Sequence, residues 1–336
     1  MTEKAERLQS LDALRGFDML WIMGGARVVR GFCALWDGGK DWFLCRQMHH
    51  VEWEGLAFFD TIFPLFIFIA GASYPFSHAK HVASGCSRRR EIGLILRRVA
   101  LLTVLGIVYE GVLRDGFASF KAFSILGKIG ATWGIAALWC LFVGVRARIG
   151  VFAVTLAAYW LILRSTGFTS GGGLLSGYFG ASASAVLGML VGDLLRSARE
   201  GLTPARKALL LAALGVALLA VGGVASLHCP VVKKLSTPSF MLICGGEACV
   251  LFAAFYYVID VRKLTGWIFP LKVIGMNAIV AYLMQAVVDY MHMSKFFFGS
   301  LAALCPTPDF VLGAGYLLLC WLTLWLLHRK RIFLKV

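Results

Sequence analysis

Runs of roughly 20 mostly apolar residues recur along this chain, and their length decides which solvent it folds in. At ~1.5 Å of rise per residue such a run crosses the ~30 Å hydrocarbon core of a bilayer as a helix. Ten runs stand out, near 14–34, 55–76, 92–113, 125–145, 150–164, 178–195, 207–227, 240–259, 268–291 and 309–328. With 59% hydrophobic residues and a mean hydropathy of +0.78, the chain lies outside the range of soluble proteins. The expectation is an all-α, polytopic integral membrane protein of about ten transmembrane helices, folded as a single domain over 1–336.

Charge orients it. The net charge of +15 would suggest nucleic acid in a soluble protein, but the basic residues cluster at the ends of the apolar runs. Anionic lipid and the positive-inside rule account for them there, so nucleic acid is excluded as a partner and membrane lipid is expected. Placing both termini in the cytoplasm puts about two thirds of the 33 Lys and Arg on that side. The first ten residues, MTEKAERLQS, have no apolar core or cleavage site, so the first run is expected to be retained. Of nine cysteines none forms a CxxC pair, and no metal is expected. Cys33 and Cys45 share one loop, which leaves a disulfide open.

The stretch HHVEWEGLAFFDTIFPLFIFIAGASYPFS, 49–77, sets a titratable cluster ahead of an apolar run that holds one carboxylate, Asp60. This places His50 near a membrane surface. In a helix that includes it, Trp53 and Glu54 fall at i+3 and i+4 on its face, where Glu54 orients the imidazole. On a straight helix Asp60 is ~15 Å further along, which predicts that it does not touch His50 and serves something deeper. A carboxylate in hydrocarbon costs at least ~2.5–3.5 kcal/mol, so Asp60 faces protein, a cavity or a ligand.

Other polar residues interrupt the runs. SLDALRG opens the first with Ser10 as a candidate helix cap, Asp12 at the positive helix end and Arg15 placed to snorkel or bind phosphate. Glu110 and Lys128 fall at one level of the third and fourth runs, as a mutual pair or as part of a site. Ser165 to Gly177 reads as a linker or a lid, and the loop 230–240 carries Lys233 and Lys234. Asn277 is a buried amide that either joins helices or meets a ligand.

Together these motifs resemble the heparan-α-glucosaminide N-acetyltransferase family and its bacterial homologues, within the transmembrane acyltransferases. RLQSLDALRGF resembles the family's RLxSxDxxRG, and HVEWEGLAFFDTIFPLFIFIAGAS its HxxWxGxxxxDxxFPxFxFIxGxS core. SILGKIGATW, VVKKLSTPSF, VIGMNAIVAYL and KRIFLKV are weaker echoes. The chain departs from the pattern at Gly24, Gly25 and Ala26, where an asparagine is found in animal members, in GYFGASAS in place of a PEG motif, at Ser236 in place of tryptophan, and at Lys128 in place of the usual arginine.

The resemblance implies transfer of the acetyl group of cytosolic acetyl-CoA to the amine of a glucosamine-type sugar across a bacterial inner membrane. It implies His50 and Asp60 as catalytic residues, Arg15, Asp12, Asn277 and Lys128 on acetyl-CoA, and Trp53, Glu54, Glu110 and Lys234 on the acceptor. His50 acts either as a base or as the acetyl carrier. A homodimer is compatible with the sequence. Two other classes remain: O-acetylation of an envelope polysaccharide, and a proton-coupled sugar transporter using Asp60, Glu247 and Asp289 with helices broken at Pro64 and Pro270.

Overall fold

The computed structural model of the chain describes residues 8–110, 124–168 and 173–334. Among these residues every regular element is helical. In chain order they are α1 Gln9–Leu20, a π turn Trp21–Gly25, α2 Ala26–Cys33, α3 Phe43–Gln47, α4 Phe58–Ala83, α5 Arg88–Tyr109, α6 Ile125–Phe142 and α7 Val145–Ser165. There follow α8 Gly173–Arg196, α9 Pro204–Ala225, α10 Pro238–Tyr256 with a π turn Tyr257–Val261, α11 Phe269–Met276, α12 Ala278–Val287, α13 Tyr290–Ala302 and α14 Pro308–Arg329. Eight helices are individually long and apolar enough to cross a bilayer, or nine if α11 and α12, bent by 73° at their junction, count as one span. The chain is a multi-pass membrane protein. The remaining expected span, near 14–34, runs from α1 through the π turn to α2 with a kink at Gly24, and it carries Asp12, Arg15, Asp18, Arg27 and Arg30; it is not among the helices long and apolar enough to cross.

Several helix starts are written locally. Ser87, Ser124 and Thr203 each accept a hydrogen bond from the backbone N–H three residues on, at 3.3, 3.1 and 3.3 Å, and Pro204 stands in the first turn of α9, where its missing N–H costs nothing. Asp289 does the same for α13 through the N–H of His292 at 2.9 Å. Other signals misled. Ser10 is not the cap of α1: Leu8 holds that position, and the N–H of Ser10 donates to Asp260 at 3.1 Å. Pro64 and Pro75 do not break α4, which runs unbroken for 26 residues, and Pro270 lies harmlessly in the first turn of α11. Gly173–Gly177 belongs to α8, whereas 169–172, the centre of the expected linker, lies outside the described residues.

The chain divides into two compact units. One holds the segments up to His50, Ala57–Ile62 and the part from Phe255 on; the other holds Val51–Leu56 and Phe63–Ala254. In the first, α1 and α11 cross at backbone contact. A Cβ on Gly16 would lie 1.8 Å from the carbonyl oxygen of Leu271, and one on Gly275 would lie 1.9 Å from that of Asp12. Gly24, at φ 134°, gives the turn between α1 and α2 a backbone that a side chain would resist.

In the second unit, α4 and α8 form the buried pair. Cβ atoms on Gly71, Gly188 and Gly192 would lie 2.2, 2.1 and 2.4 Å from the carbonyl oxygens of Ala185, Phe68 and Ala72, a small-residue seam that substitutes close van der Waals packing for the hydrophobic effect in lipid. Arg148 from α7 forms a buried ion pair with Asp193 of α8 and donates to the carbonyls of Val143 and Cys140 at 3.1 and 2.6 Å. Glu91 at the start of α5 is buried and gathers His78, Tyr74 and His81 of α4 at 2.7, 3.3 and 3.4 Å. Few residues of α5, α7 and α14 are buried, and their apolar surface suits lipid contact.

Candidate active site

The geometry around His50 follows from where α4 begins. Helix α3 ends at Gln47, and α4 does not start until Phe58, so 48–57 runs outside any helix. His50, Trp53 and Glu54 therefore share no helical face, and the ~15 Å offset of a straight helix does not apply. Instead His50 returns to the first turn of α4, and its Nδ1 lies 2.8 Å from Oδ1 of Asp60. The expectation that the two residues do not meet is overturned by the non-helical run between them.

The first turn of α4 explains how a fully buried carboxylate is held. Ala57 is in the capping position, and Asp60, three residues on, reaches back with Oδ2 to accept the N–H of Ala57 at 3.2 Å, as the acidic member of a capping box does. The positive end of the helix adds to its stabilisation. The next orphan donor, the N–H of Phe58, goes to Oε1 of Gln47 at 2.8 Å, so α3 ties down the start of α4. Phe58 packs edge-on against Trp21 and Phe17, with ring centroids 5.1 and 6.4 Å apart, and Phe59 lies under the imidazole of His50 at 4.8 Å.

This arrangement ties one ring nitrogen of the histidine to the carboxylate. An ionised Asp60 makes Nδ1–H the donor and so puts the lone pair on Nε2, the nitrogen suited to act as a base or nucleophile. The His50 side chain is 53% exposed, whereas Asp60 is wholly buried. Neighbouring His49 is exposed, and among the described residues its backbone N–H donates to the carbonyl of Arg46 at 3.3 Å.

The sequence has known relatives. The chain is similar over 102 residues to human heparan-alpha-glucosaminide N-acetyltransferase, at 33% identity, and over 104 residues to the mouse protein of that name, at 31%. These stretches cover 30 and 31% of this chain and only 13 and 14% of the two relatives. No family model matches the chain.

The other expected site residues fall into separate groups. Arg15 and Asp12 pair with each other along α1, Nη1 to Oδ1 at 3.5 Å, and Asp12 is buried. Asn277, 1% exposed, occupies the bend between α11 and α12, where its Nδ2 donates to the carbonyl of Ile332 at 2.9 Å and its Oδ1 accepts the N–H of Leu334 at 3.2 Å. Both ends of the amide hold the carboxyl-terminal segment. Lys128 lies half-buried in the first turn of α6; Glu110 ends α5; among the described residues no ion pair joins them.

Trp53 and Lys234 do come together. The Lys234 ammonium lies 5.9 Å from the Trp53 ring centroid, and the N–H of Gly55 donates to the carbonyl of Val231 at 2.9 Å. Glu54 is exposed beside Trp53 in the chain. The loop that carries Lys234 is held by buried hydroxyls: the N–H of Val232 donates to Oγ1 of Thr237, Oγ of Ser239 donates to the carbonyl of Pro230, both at 3.0 Å, and the Tyr159 hydroxyl donates to the carbonyl of Leu235. Gln47 was missed by sequence reasoning. Its signal was faint, a lone amide eleven residues ahead of the helix it caps.

Proposed function

We propose that this chain is an inner-membrane acetyltransferase that moves the acetyl group of cytosolic acetyl-CoA to the amine of a glucosamine-type sugar on the extracytoplasmic side. The observation that carries this reading is the His50–Asp60 pair, an exposed imidazole oriented by a buried carboxylate. The similarity to N-acetyltransferases supports the reaction class. In the direct route Nε2 of His50 takes a proton from the acceptor nitrogen as that nitrogen attacks the thioester carbonyl. The C–N bond forms, the C–S bond breaks, and the CoA thiolate leaves. Asp60 keeps Nδ1 protonated and stabilises the imidazolium that results. In the covalent route Nε2 attacks the thioester itself and the sugar amine then takes the acetyl group from the imidazole.

Arg15, Asp12 and Lys128 are assigned to acetyl-CoA, and Trp53, Glu54, Glu110 and Lys234 to the acceptor; Asn277, whose amide holds the carboxyl-terminal segment, keeps that role instead of one on the coenzyme. Arg15 supplies cation for the coenzyme phosphates, and the Trp53 ring supplies an apolar face for a pyranose. The test is a CoA-dependent rise in melting temperature followed by acetyl transfer to glucosamine on the same purified protein, with a hydroxyl acceptor in parallel. No stabilisation by CoA ends the reading, and transfer to the hydroxyl alone reassigns the acceptor. Release of CoA from acetyl-CoA in the absence of any acceptor, in one stoichiometric burst, marks the covalent route.

A further inference from the structure

A concave site of about 490 Å³ in the second unit is lined by Trp160, Arg164, Phe168 and His228, none of which the proposed reaction uses. Trp160 and Arg164 are one helical turn apart on α7, with the guanidinium 5.4 Å from the indole centroid. Phe168 follows the end of α7 at φ 55°, a left-handed backbone that is costly for a bulky side chain, with its N–H donating to the carbonyl of Leu163 at 3.0 Å. Its ring also packs on the buried cluster of Tyr159, Leu163, Val232 and Leu235, which fixes that wall of the site. His228 stands just past the end of α9 and is exposed.

Two features define the ligand. Arg164 and His228 are cationic or can become so, and among the described residues neither has a carboxylate within ion-pairing distance. The site lies at the carboxyl-terminal ends of two helices long and apolar enough to span a bilayer, where hydrocarbon gives way to headgroups and where tryptophan and snorkelling arginine concentrate. We infer that Trp160, Arg164, Phe168 and His228 form a binding site for the phosphate of an anionic phospholipid. The guanidinium fork and the imidazole meet the phosphate oxygens, and the two rings take the glycerol and first methylenes. A soluble phosphate would gain nothing from the two aromatic walls. This favours a lipid over a free anion.

The test is lipid retention by the full chain, purified in dodecylmaltoside and titrated with phosphatidylglycerol, phosphatidylcholine or inorganic phosphate, and read by native mass spectrometry. Arg164→Ala combined with His228→Ala should lower phosphatidylglycerol affinity by about tenfold or more, the size expected for losing charge-assisted contacts. Arg164→Lys should lose less, and Trp160→Leu should weaken binding without abolishing the preference for phosphatidylglycerol. Unchanged melting in lipid-free detergent verifies that the variants are folded, since both cationic residues are exposed. Equal retention of phosphatidylglycerol by wild type and double variant overturns the site. So does equal binding of phosphatidylcholine, and so does full competition by inorganic phosphate at millimolar concentration, which would make it a free-anion site. None of these readings depends on acetyl transfer.

Discussion

Asp60 accepts hydrogen bonds from two directions, an imidazole and its own helix start, and the two bonds have different jobs. The bond to the N–H of Ala57 is a structural cap, whereas the bond to His50 selects the tautomer. Asp60→Asn separates them. An asparagine oxygen still accepts from Ala57, but the side chain can turn its amide toward Nδ1 and force the proton onto Nε2, the wrong nitrogen for a base. Acetyl transfer should fall by ~10²–10⁴ with the CoA-induced melting shift retained. His50→Ala should cost as much, and His49→Ala should stay within a few fold of wild type. Near-normal turnover in His50→Ala would remove the histidine from the mechanism. The identities of both residues were legible in the sequence, but their contact was not. Apolar residues continue back to Leu56 with only Gly55 as a breaker, and Gly55, at φ 128°, takes the positive-φ backbone of the turn ahead of α4.

At the scale of elements the legible signal was the long apolar run; the illegible one was a bend without proline. The prolines at 64 and 270 drew attention to the wrong places, because buried surroundings carry α4 through Pro64 and the first turn of α11 tolerates Pro270. The 73° bend falls at Asn277, whose side chain binds backbone 55 and 57 residues away, a pairing that no local pattern announces. Asn277→Ala should cost about 1–2 kcal/mol and speed amide exchange at Leu334. Removing residues 332–336 should cost a similar amount, and combining the two should add little, because each deletes the same contact. Full additivity in that cycle would mean the tail and the bend are independent. The seam between α4 and α8 allows a harsher test. A Cβ at Gly188 has only 2.1 Å to the carbonyl of Phe68, so Gly188→Ala should reduce the yield of monodisperse protein sharply, whereas Gly223→Ala, which meets nothing within 4 Å, should not.

For the whole molecule, function turns on which compartment His50 faces, and the topology turns on the course of two elements. Gln9–Cys33 is long enough to cross, at 25 residues, but holds five charged side chains; α11 with α12 either crosses bent or turns back to the side it entered. If Gln9–Cys33 crosses, His50 lies opposite the amino terminus, and the positive-inside count then places the 35–50 and 229–238 loops outside and the 78–91 loop in the cytoplasm. Two things favour crossing. Three of the charged residues, Asp12, Arg15 and Asp18, lie on α1, which packs at backbone distance on α11, and Asp12 and Asp18 are buried inside protein. The alternative also moves most basic loops to the outer face. Single cysteines at Asp37, Ser84, Glu200 and Lys330 on a background free of the nine native cysteines, labelled in intact cells with an impermeant maleimide, read the topology directly. Asp37→Cys should label from outside, and Ser84→Cys, Glu200→Cys and Lys330→Cys only after permeabilisation. Reversal of Asp37 and Ser84 together means Gln9–Cys33 does not cross, and acetyl transfer through the membrane is then lost as a mechanism because coenzyme and histidine share a side. Reversal of Lys330 alone means that α11 and α12 form a re-entrant pair, which leaves His50 outside and the transfer intact.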